Sequence, residues 1–180
     1  MASTSLSGGQ DREVTRRYTA GQMCERVRAA LRDLGLNAEV VTFKASTRTA
    51  ADAANAIGCE PKQVVKSLVF MAGGQPVMAL VPGDRSASPP KLARLLGLPR
   101  KQVRMATAGE IREHTGYDLG TVTPVGLPGR MDIAVDTVLR DCNELWLAAG
   151  EERAMFRANT DDLVRAIGAQ WAEISERPDL

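Results

Sequence analysis

The 180-residue sequence is poor in the side chains that usually bind metals or form disulfides. It contains one histidine, His114, and three cysteines, Cys24, Cys59 and Cys142, with no Cys-x-x-Cys spacing. This pattern disfavours a disulfide framework, a zinc site and a histidine-based metal site. We therefore expect no metal and no cofactor. We interpret Cys59 and Cys142 as small buried residues and His114 as a structural or surface residue.

Long apolar runs and a strong net charge are also lacking. No run approaches the length that spans a bilayer, and the amino terminus lacks the apolar core of a signal peptide. We therefore expect a cytoplasmic protein with no membrane partner. The net charge is only +1, but basic residues predominate over 84–104 and acidic residues from Asp132 onward. This asymmetry fits either a docking surface for an RNA end or ordinary solvated helix faces.

The common catalytic motifs are missing as well. The sequence contains no Gly-x-Ser-x-Gly elbow, no Walker A loop and no Gly-x-Gly-x-x-Gly opening a helix after a strand. Asp132 and Asp136 flank a predicted strand, where they could form a carboxylate pair or serve in turns and caps. No side-chain nucleophile is evident.

Apolar periodicity and turn residues predict an α/β protein of the α+β type. We expect a mixed, largely antiparallel sheet surrounded by helices, with a disordered tail at residues 1–14 and a single domain over 15–180. Helices are predicted at Tyr18–Leu34, Ala50–Ile57, Ser88–Leu96, Thr107–His114 and from Asn159 to Gly168. Strands are predicted at Ala38–Phe43, Val64–Phe70, Pro76–Val81, Gln102–Ala106, Met131–Val135, Leu145–Ala149, Ala154–Arg157 and Trp171–Ile174.

The strand Val64–Phe70 is unusual because it contains a lysine, Lys66. The Gly-rich connection Ala72–Gln75 predicts a hairpin between this strand and the next one. Lysine is seldom buried without a partner. Lys66 therefore either reaches water from a solvated face or points into a cleft, where it would hold an anionic or carbonyl group.

A second feature is the segment 116–129, which carries four glycines and two prolines. Such a segment cannot form a regular element, and long ordered loops in compact domains are often functional. Glycines let backbone N–H groups approach a ligand closely. Together, the loop and the strand lysine predict a binding cleft for a small polar or anionic group.

Several segments, taken in order, resemble the YbaK/ProX family of aminoacyl-tRNA deacylases, which includes the editing insertion of bacterial prolyl-tRNA synthetases. Each segment is short, but their shared order makes the resemblance specific, and it extends from about Ala45 to Ile174. The segments are Ser46–Ala50, Val64–Phe70, Val81–Arg85, Lys91–Ala93 with Leu96 and Gly97, Thr115–Gly126 and Leu145–Gly150.

The resemblance implies a YbaK-like fold and a free-standing trans-editing deacylase. Such an enzyme would hydrolyse the ester of a mischarged aminoacyl-tRNA, here a tRNA-Pro carrying a small non-cognate amino acid. The implied partners are the 3′ acceptor end of aminoacyl-tRNA and a prolyl-tRNA synthetase, with the basic stretch Arg85–Arg104 as a candidate contact for the acceptor stem. The catalytic positions carried over are Lys66, Gly120 and Gly126. The substrate-binding positions carried over are Thr47, Thr49, Ser67, Gly116, Thr121, Pro124, Leu127 and Gly150.

Two positions depart from the family pattern. Thr121 stands where the family usually has a second glycine, and Leu127 stands where many free-standing relatives have histidine. We expect both at the rim of the pocket, where they would affect amino-acid specificity. The alternative function is a non-catalytic module that binds tRNA, an amino acid or a synthetase; Lys66 argues against it and Thr121 argues for it.

Overall fold

The computed structural model describes residues 21–178, over which five α-helices and ten β-strands occur. The predicted tail at 1–14 and the first residues of the predicted amino-terminal helix lie outside this range. The helices are α1 Gln22–Asp33, α2 Ala50–Ile57, α3 Pro89–Leu96, α4 Ala108–Thr115 and α5 Thr160–Ala166. The strands are β1 Val40–Thr42, β2 Val65–Ala72, β3 Gln75–Pro82, β4 Ser86–Ala87, β5 Val103–Met105, β6 Asp132–Asp136, β7 Glu144–Ala148, β8 Ala154–Asn159, β9 Gln170–Ala172 and β10 Ser175–Glu176.

The central sheet has five strands in the order β5-β2-β3-β6-β9. The pairs β5-β2 and β2-β3 are antiparallel, whereas β3-β6 and β6-β9 are parallel. A second sheet, β1-β8-β7, and a small one, β10-β4, are fully antiparallel. The predicted mixed, largely antiparallel fold is confirmed, although the strands form three sheets and not one.

Side chains of the central sheet alternate between two apolar layers. Val69 of β2 and Met78 of β3 lie in the layer shared with α1 and the three-stranded sheet, whereas Phe70 and Val77 lie in the layer that α3 covers. The β2-β3 hairpin is therefore packed on both faces and forms a rigid support. By the same alternation, Lys66 extends from the face that carries Phe70.

Local signals in the sequence account for most element boundaries. Thr49 caps α2 by accepting a hydrogen bond from the N–H of Asp52, and Thr107 and Glu110 form the predicted capping box of α4. The hairpin turn is tighter than the predicted connection, because only Gly73 and Gly74 lie between the strands.

The carboxyl-terminal end differs from the prediction of one strand at Trp171–Ile174. The chain forms β9 and β10, separated at a buried carboxylate, Asp136. Its Oδ2 accepts hydrogen bonds from the N–H groups of Ile174 and Ser175 at 3.0 and 2.7 Å, and its Oδ1 accepts one from Val138 at 3.0 Å. Asp136 therefore has the capping role, one of the two that its position allowed.

Among residues 21–178, no helix has the length and apolar character needed to cross a bilayer.

Candidate functional site

The site begins at an incomplete edge of β2. Strand β3 pairs with β2 along its whole length, but β5 pairs with it only from Phe70 to Ala72, and one further bond joins the Ala106 N–H to the Val69 carbonyl at 2.9 Å. The edge of β2 at residues 65–68 therefore extends past the end of β5. A cavity of about 250 Å³ lies against this edge.

The cavity, called the inner cavity below, has mostly apolar wall residues, with three hydroxyl residues and the two cationic residues Arg48 and Lys66. Its floor comes from β2, and its sides come from the start of α2, from α4, from the Gly/Pro loop and from the three-stranded sheet. The lining residues are Thr47, Arg48, Thr49, Ala50, Val64, Val65, Lys66, Ser67, Leu68, Val69, Met105, Ile111, Leu119, Gly120, Val122, Ala148 and Met155.

Lys66 lies in this cavity and is half-buried. Its Nζ donates a hydrogen bond to the main-chain carbonyl of Arg85, which lies in the turn after β3. Burial lowers the pKa of Lys66, and the nearby negative charge of Asp84 partly opposes that shift. An ammonium has three N–H donors, so two remain for a ligand. Lys66 is thus half-buried, bonded to a main-chain carbonyl and part of the cavity wall.

Ser67 also lines the inner cavity, on the opposite face of β2 from Lys66. Its Oγ is buried and has no hydrogen-bond partner within the described part of the chain. A buried hydroxyl without a partner is costly, because it has lost water and gained nothing in exchange. The hydrogen-bonding capacity of the Ser67 hydroxyl is thus unused within the described residues.

Only part of the Gly/Pro loop reaches the inner cavity, namely Leu119, Gly120 and Val122. The N–H and the Oγ1 of Thr121 both donate to the carbonyl of Asp118, at 3.0 and 2.9 Å. The amide of Thr121 is therefore already used. Thr121 does not have the positive φ that favours glycine, since Arg153 is the only non-glycine residue with positive φ in residues 21–178.

A larger cavity of about 740 Å³, the outer cavity, adjoins the inner one. Both are lined by Thr47, Arg48, Leu119, Gly120, Ala148 and Met155, and the outer one also by Thr121. Its remaining walls include the cations Lys44 and Arg153 and the acids Glu151 and Glu152. The two cavities share these six wall residues and together make up the cleft, and Lys66 lines only the inner one.

Three predicted site glycines lie around a buried tyrosine, Tyr117. A Cβ at Gly126 would lie 2.9 Å from the Tyr117 hydroxyl, and one at Gly150 would lie 2.9 Å from its ring. Both glycines have positive φ, of 67° and 83°. A Cβ at Gly116 would lie 2.5 Å from the guanidinium of Arg26, which stacks 4.8 Å above the same ring. These glycines allow the tyrosine to pack between α1 and the loop.

Two other predicted positions, together with Gly126, lie outside the inner cavity. Pro124, Gly126 and Leu127 line a separate cavity of about 630 Å³ between α1, α3 and the end of α5. The side chain of Leu127 packs on the core there. Of the predicted site residues, the structure brings Lys66, Ser67, Thr47, Thr49 and Gly120 together in the inner cavity and leaves Thr121 in the outer one.

Three of the six cations in the basic stretch Arg85–Arg104, namely Lys91, Arg100 and Arg104, make internal side-chain hydrogen bonds. Lys91 binds Glu173 at 2.5 Å and the carbonyl of Ser175 at 2.8 Å, and Arg104 binds both carboxylate oxygens of Glu110 at 2.7 and 2.8 Å. The guanidinium of Arg104 holds the pKa of the Glu110 carboxyl at about 2. The cations that line the cleft are other residues, Lys44, Arg48 and Arg153.

Cys142 is buried, as the sequence predicted, whereas Cys59 is only half-buried; Cys24 is buried as well. Burial, together with the charge of Glu151, raises the pKa of the Cys24 thiol to about 11. A thiol with a raised pKa is a poor nucleophile. Among the described residues, no group of three or more His, Cys, Asp or Glu side chains is arranged to hold a metal ion.

Sequence reasoning missed Met105, Leu119 and Met155 as cavity residues. Their types are ordinary for a core, so the pattern contained no signal for a site. The one indication available from the sequence was that Leu119 directly precedes Gly120, a predicted site residue.

Comparison with known proteins adds family information to this geometry. Residues 44–166 match the family model described as the aminoacyl-tRNA editing domain. A solved structure described as a candidate trans-editing enzyme for prolyl tRNA synthetase is 40% identical and superposes with a TM-score of 0.81, over 88% of this chain and 99% of that one.

Two curated relatives differ in how much of their length is matched. The proline–tRNA ligase of Nitratidesulfovibrio vulgaris (strain Hildenborough) is 37% identical over 127 residues, which is 71% of this chain and 21% of the ligase. The uncharacterized protein YwhH of Bacillus subtilis (strain 168) is 28% identical over 126 residues, which is 69% of this chain and 78% of that protein. The chain therefore spans about a fifth of the length of the ligases that it matches.

Proposed function

Because the chain belongs to the aminoacyl-tRNA editing domain family, as its motifs predicted, we propose that it is a trans-editing deacylase. The substrate is the ester that links a wrong amino acid to the 3′-terminal ribose of a tRNA. Water adds to the ester carbonyl, the bond between that carbon and the ribose oxygen breaks, and the products are the free amino acid and intact tRNA. The observation that carries the proposal is that Lys66 and Gly120 line the same cavity, although they are far apart in the sequence.

In this proposal Lys66 positions the substrate and is not a nucleophile. One N–H donor is held by the Arg85 carbonyl, which fixes the direction of the side chain. The other two donors bind oxygen atoms of the terminal nucleotide. Fixed donors of this kind orient the ester for attack and save the entropy of bringing the groups together.

Backbone amides of the loop would stabilise the negative charge that develops on the ester oxygen. The Thr121 amide is used by Asp118, so the proposal assigns this role to Gly120 and Val122, which line the cavity. Donors arranged in advance around a developing oxyanion contribute strongly to acyl transfer. The attacking group is water or a hydroxyl of the substrate itself, because the cavity offers no activated side-chain nucleophile.

The remaining site residues act by shaping the cleft. Thr49 caps α2 and so fixes one wall of the inner cavity. Gly116, Gly126 and Gly150 pack around Arg26 and Tyr117, behind the loop. We assign these glycines to positioning the loop, and not to contact with the ester.

The proposed acceptor is tRNA-Pro, and the proposed amino acid is small. Support for the tRNA comes from the matches to proline–tRNA ligases and to the candidate trans-editing enzyme. Support for the amino acid comes from the small volume of the inner cavity and from its buried walls Ile111, Val122 and Met155. We also propose a cytoplasmic location and a prolyl-tRNA synthetase as partner, because the charging of tRNA and its use in translation take place in the same compartment.

The test is a deacylation panel with catalytic amounts of protein. The substrates are tRNA-Pro charged with Ala, Cys, Ser or Thr, and tRNA-Pro charged with Pro as the correct product to be spared. Lys66→Ala should fold normally and lose turnover. Lys62→Ala is the matched control, because Lys62 is partly exposed, precedes β2 and pairs only with Glu60 among the ion pairs of the described residues.

Rapid release of one wrong amino acid by the wild type and by Lys62→Ala, but not by Lys66→Ala, would establish the activity and its substrate. Saturable binding of tRNA without release of any amino acid, on this panel and on other charged tRNAs, would instead establish the non-catalytic module.

A further inference from the structure

Two exposed apolar side chains stand at the mouth of the inner cavity. In residues 21–178 the large hydrophobic side chains that are exposed are Leu34, Met105 and Leu119, at 38%, 47% and 69%. Leu34 lies at the far end of α1, whereas Met105 and Leu119 both line the inner cavity. We call this pair the apolar lip. Exposed hydrophobic groups that cluster at a cavity often mark a binding surface.

The lip is held by structured backbone on both sides. Met105 ends β5 and is in register with Phe70 of β2. Leu119 follows Asp118, whose carboxylate pairs with Arg112 at 2.6 Å and whose carbonyl accepts two hydrogen bonds from Thr121. Leu119 is therefore presented to solvent by a fixed turn and not by a loose loop. It also lines the outer cavity, so it stands where the two cavities join.

We propose that the apolar lip binds the terminal nucleobase of the tRNA, and this inference rests on the proposed function. In the proposed function the amino acid occupies the inner cavity, so the ribose that carries it stands at the mouth of that cavity. The base on that ribose then lies within reach of the mouth, where Leu119 and Met105 are exposed. Nucleobases removed from their stack are commonly held between aromatic or apolar side chains.

Charges beyond the lip fit the chain of phosphates that leads to this base. Lys44, Arg48 and Arg153 line the outer cavity, which continues from Leu119. Arg48 pairs with Glu152 at 3.2 Å, and both side chains are largely exposed. An exposed pair of this kind is weak, so a phosphate can take the place of the carboxylate. The outer cavity thus offers cations where the preceding nucleotides would run.

The test is a double-mutant cycle in which one change is made in the protein and the other in the substrate. Wild type, Leu119→Ala and Met105→Ala are compared on a mischarged tRNA with its normal terminal adenosine and on the same tRNA with an abasic terminal ribose. Leu34→Ala is the matched control, an exposed leucine remote from the inner cavity. Leu119→Met, which keeps an apolar contact, tests rescue, and thermal melting verifies that each variant folds.

On the normal substrate, Leu119→Ala should lower kcat/KM roughly tenfold, mainly through KM, as expected for the loss of one base contact. Leu119→Met should recover most of it, and Leu34→Ala should match the wild type. On the abasic substrate the wild type should already have the lowered kcat/KM, and Leu119→Ala should lower kcat/KM little further.

Two results would overturn the proposal that the apolar lip binds the base. One is that Leu119→Ala lowers kcat/KM by the same factor on the abasic substrate as on the normal one. The other is that Leu119→Ala leaves kcat/KM on the normal substrate unchanged. Wild-type turnover of the normal substrate tests the proposed function separately, so the two failures can be told apart.

Discussion

The hydroxyl of Tyr117 donates a hydrogen bond of 2.7 Å to the main-chain carbonyl of Val125. These two residues bracket Gly120 and Val122, the part of the loop that faces Lys66. The bond is fully buried, so it ties the two ends of the segment together where water cannot compete. Accurate placement of the loop amides therefore depends on a tyrosine that does not line the inner cavity.

Tyr117→Phe should keep the ring packing and remove only this bond. The Val125 carbonyl would lose its buried donor, so we expect the free energy of unfolding to fall by about 1 to 3 kcal/mol. Deacylation should fall through kcat, because the amides would be held less firmly while the ammonium of Lys66 would be unaffected. Urea denaturation and kinetics on the same sample check both effects. Unchanged stability and unchanged kcat would show that the bond is dispensable.

Gly126→Ala should destabilise the protein by about 2 kcal/mol or more, because the new Cβ would lie 2.9 Å from the Tyr117 hydroxyl and the backbone has positive φ. Gly129→Ala in the same loop is the control. No atom lies within 4 Å of its added Cβ, so its effect should stay within about 0.5 kcal/mol. Thermal or urea unfolding of Gly126→Ala and Gly129→Ala measures this difference. Equal stabilities of the two variants would argue against the close packing around Tyr117.

Ser67→Ala should separate stability from function. Its Oγ has no partner within the described residues, so its removal should leave the free energy of unfolding unchanged or raise it by about 1 kcal/mol. If the hydroxyl binds the substrate, kcat/KM should fall by about tenfold. Thr49→Ala is the contrasting variant, since the Thr49 hydroxyl caps α2 and its loss should cost about 1 kcal/mol. A clear loss of stability in Ser67→Ala would contradict this assignment.

The ionisation of Lys66 should control affinity at alkaline pH. Burial lowers its pKa below the usual 10.5, so the ammonium loses its proton at a lower pH than an exposed lysine does. Affinity for a non-hydrolysable amide analogue of 3′-aminoacyl-adenosine should therefore decrease at a lower alkaline pH than the ordinary lysine pKa of 10.5 would give. The α-amino group of the analogue titrates too, and Lys66→Met isolates that contribution. A wild-type profile parallel to that of Lys66→Met would rule out the ammonium as the binding group.

The lowered pKa of Lys66 also makes the free energy of unfolding depend on pH. A lysine with a lowered folded pKa disfavours folding while both states are charged, so the penalty is fully present below that pKa. It is relieved as pH rises from the folded pKa to the unfolded one. The wild type should therefore gain stability relative to Lys66→Met across that alkaline window. Urea midpoints measured for both proteins at several pH values give this difference directly.

Local signals in the sequence determined the elements and the main chemical group of the site. The Thr49 cap, the Thr107–Glu110 capping box and the glycines between β2 and β3 act over a few residues, so each could be read without knowing the fold. Lys66 was conspicuous because an ammonium inside an apolar strand needs a partner wherever that strand lies.

Tertiary structure alone decided which of the loop residues face Lys66. Gly120, Gly126 and Gly150 look alike in sequence, but only Gly120 lines the inner cavity, while the other two pack against Tyr117. The exposure of Leu119 likewise depends on where β5 ends and how the turn at Asp118 is held. Side-chain direction in a loop is set by contacts between residues far apart in the chain, and no local pattern contains that information.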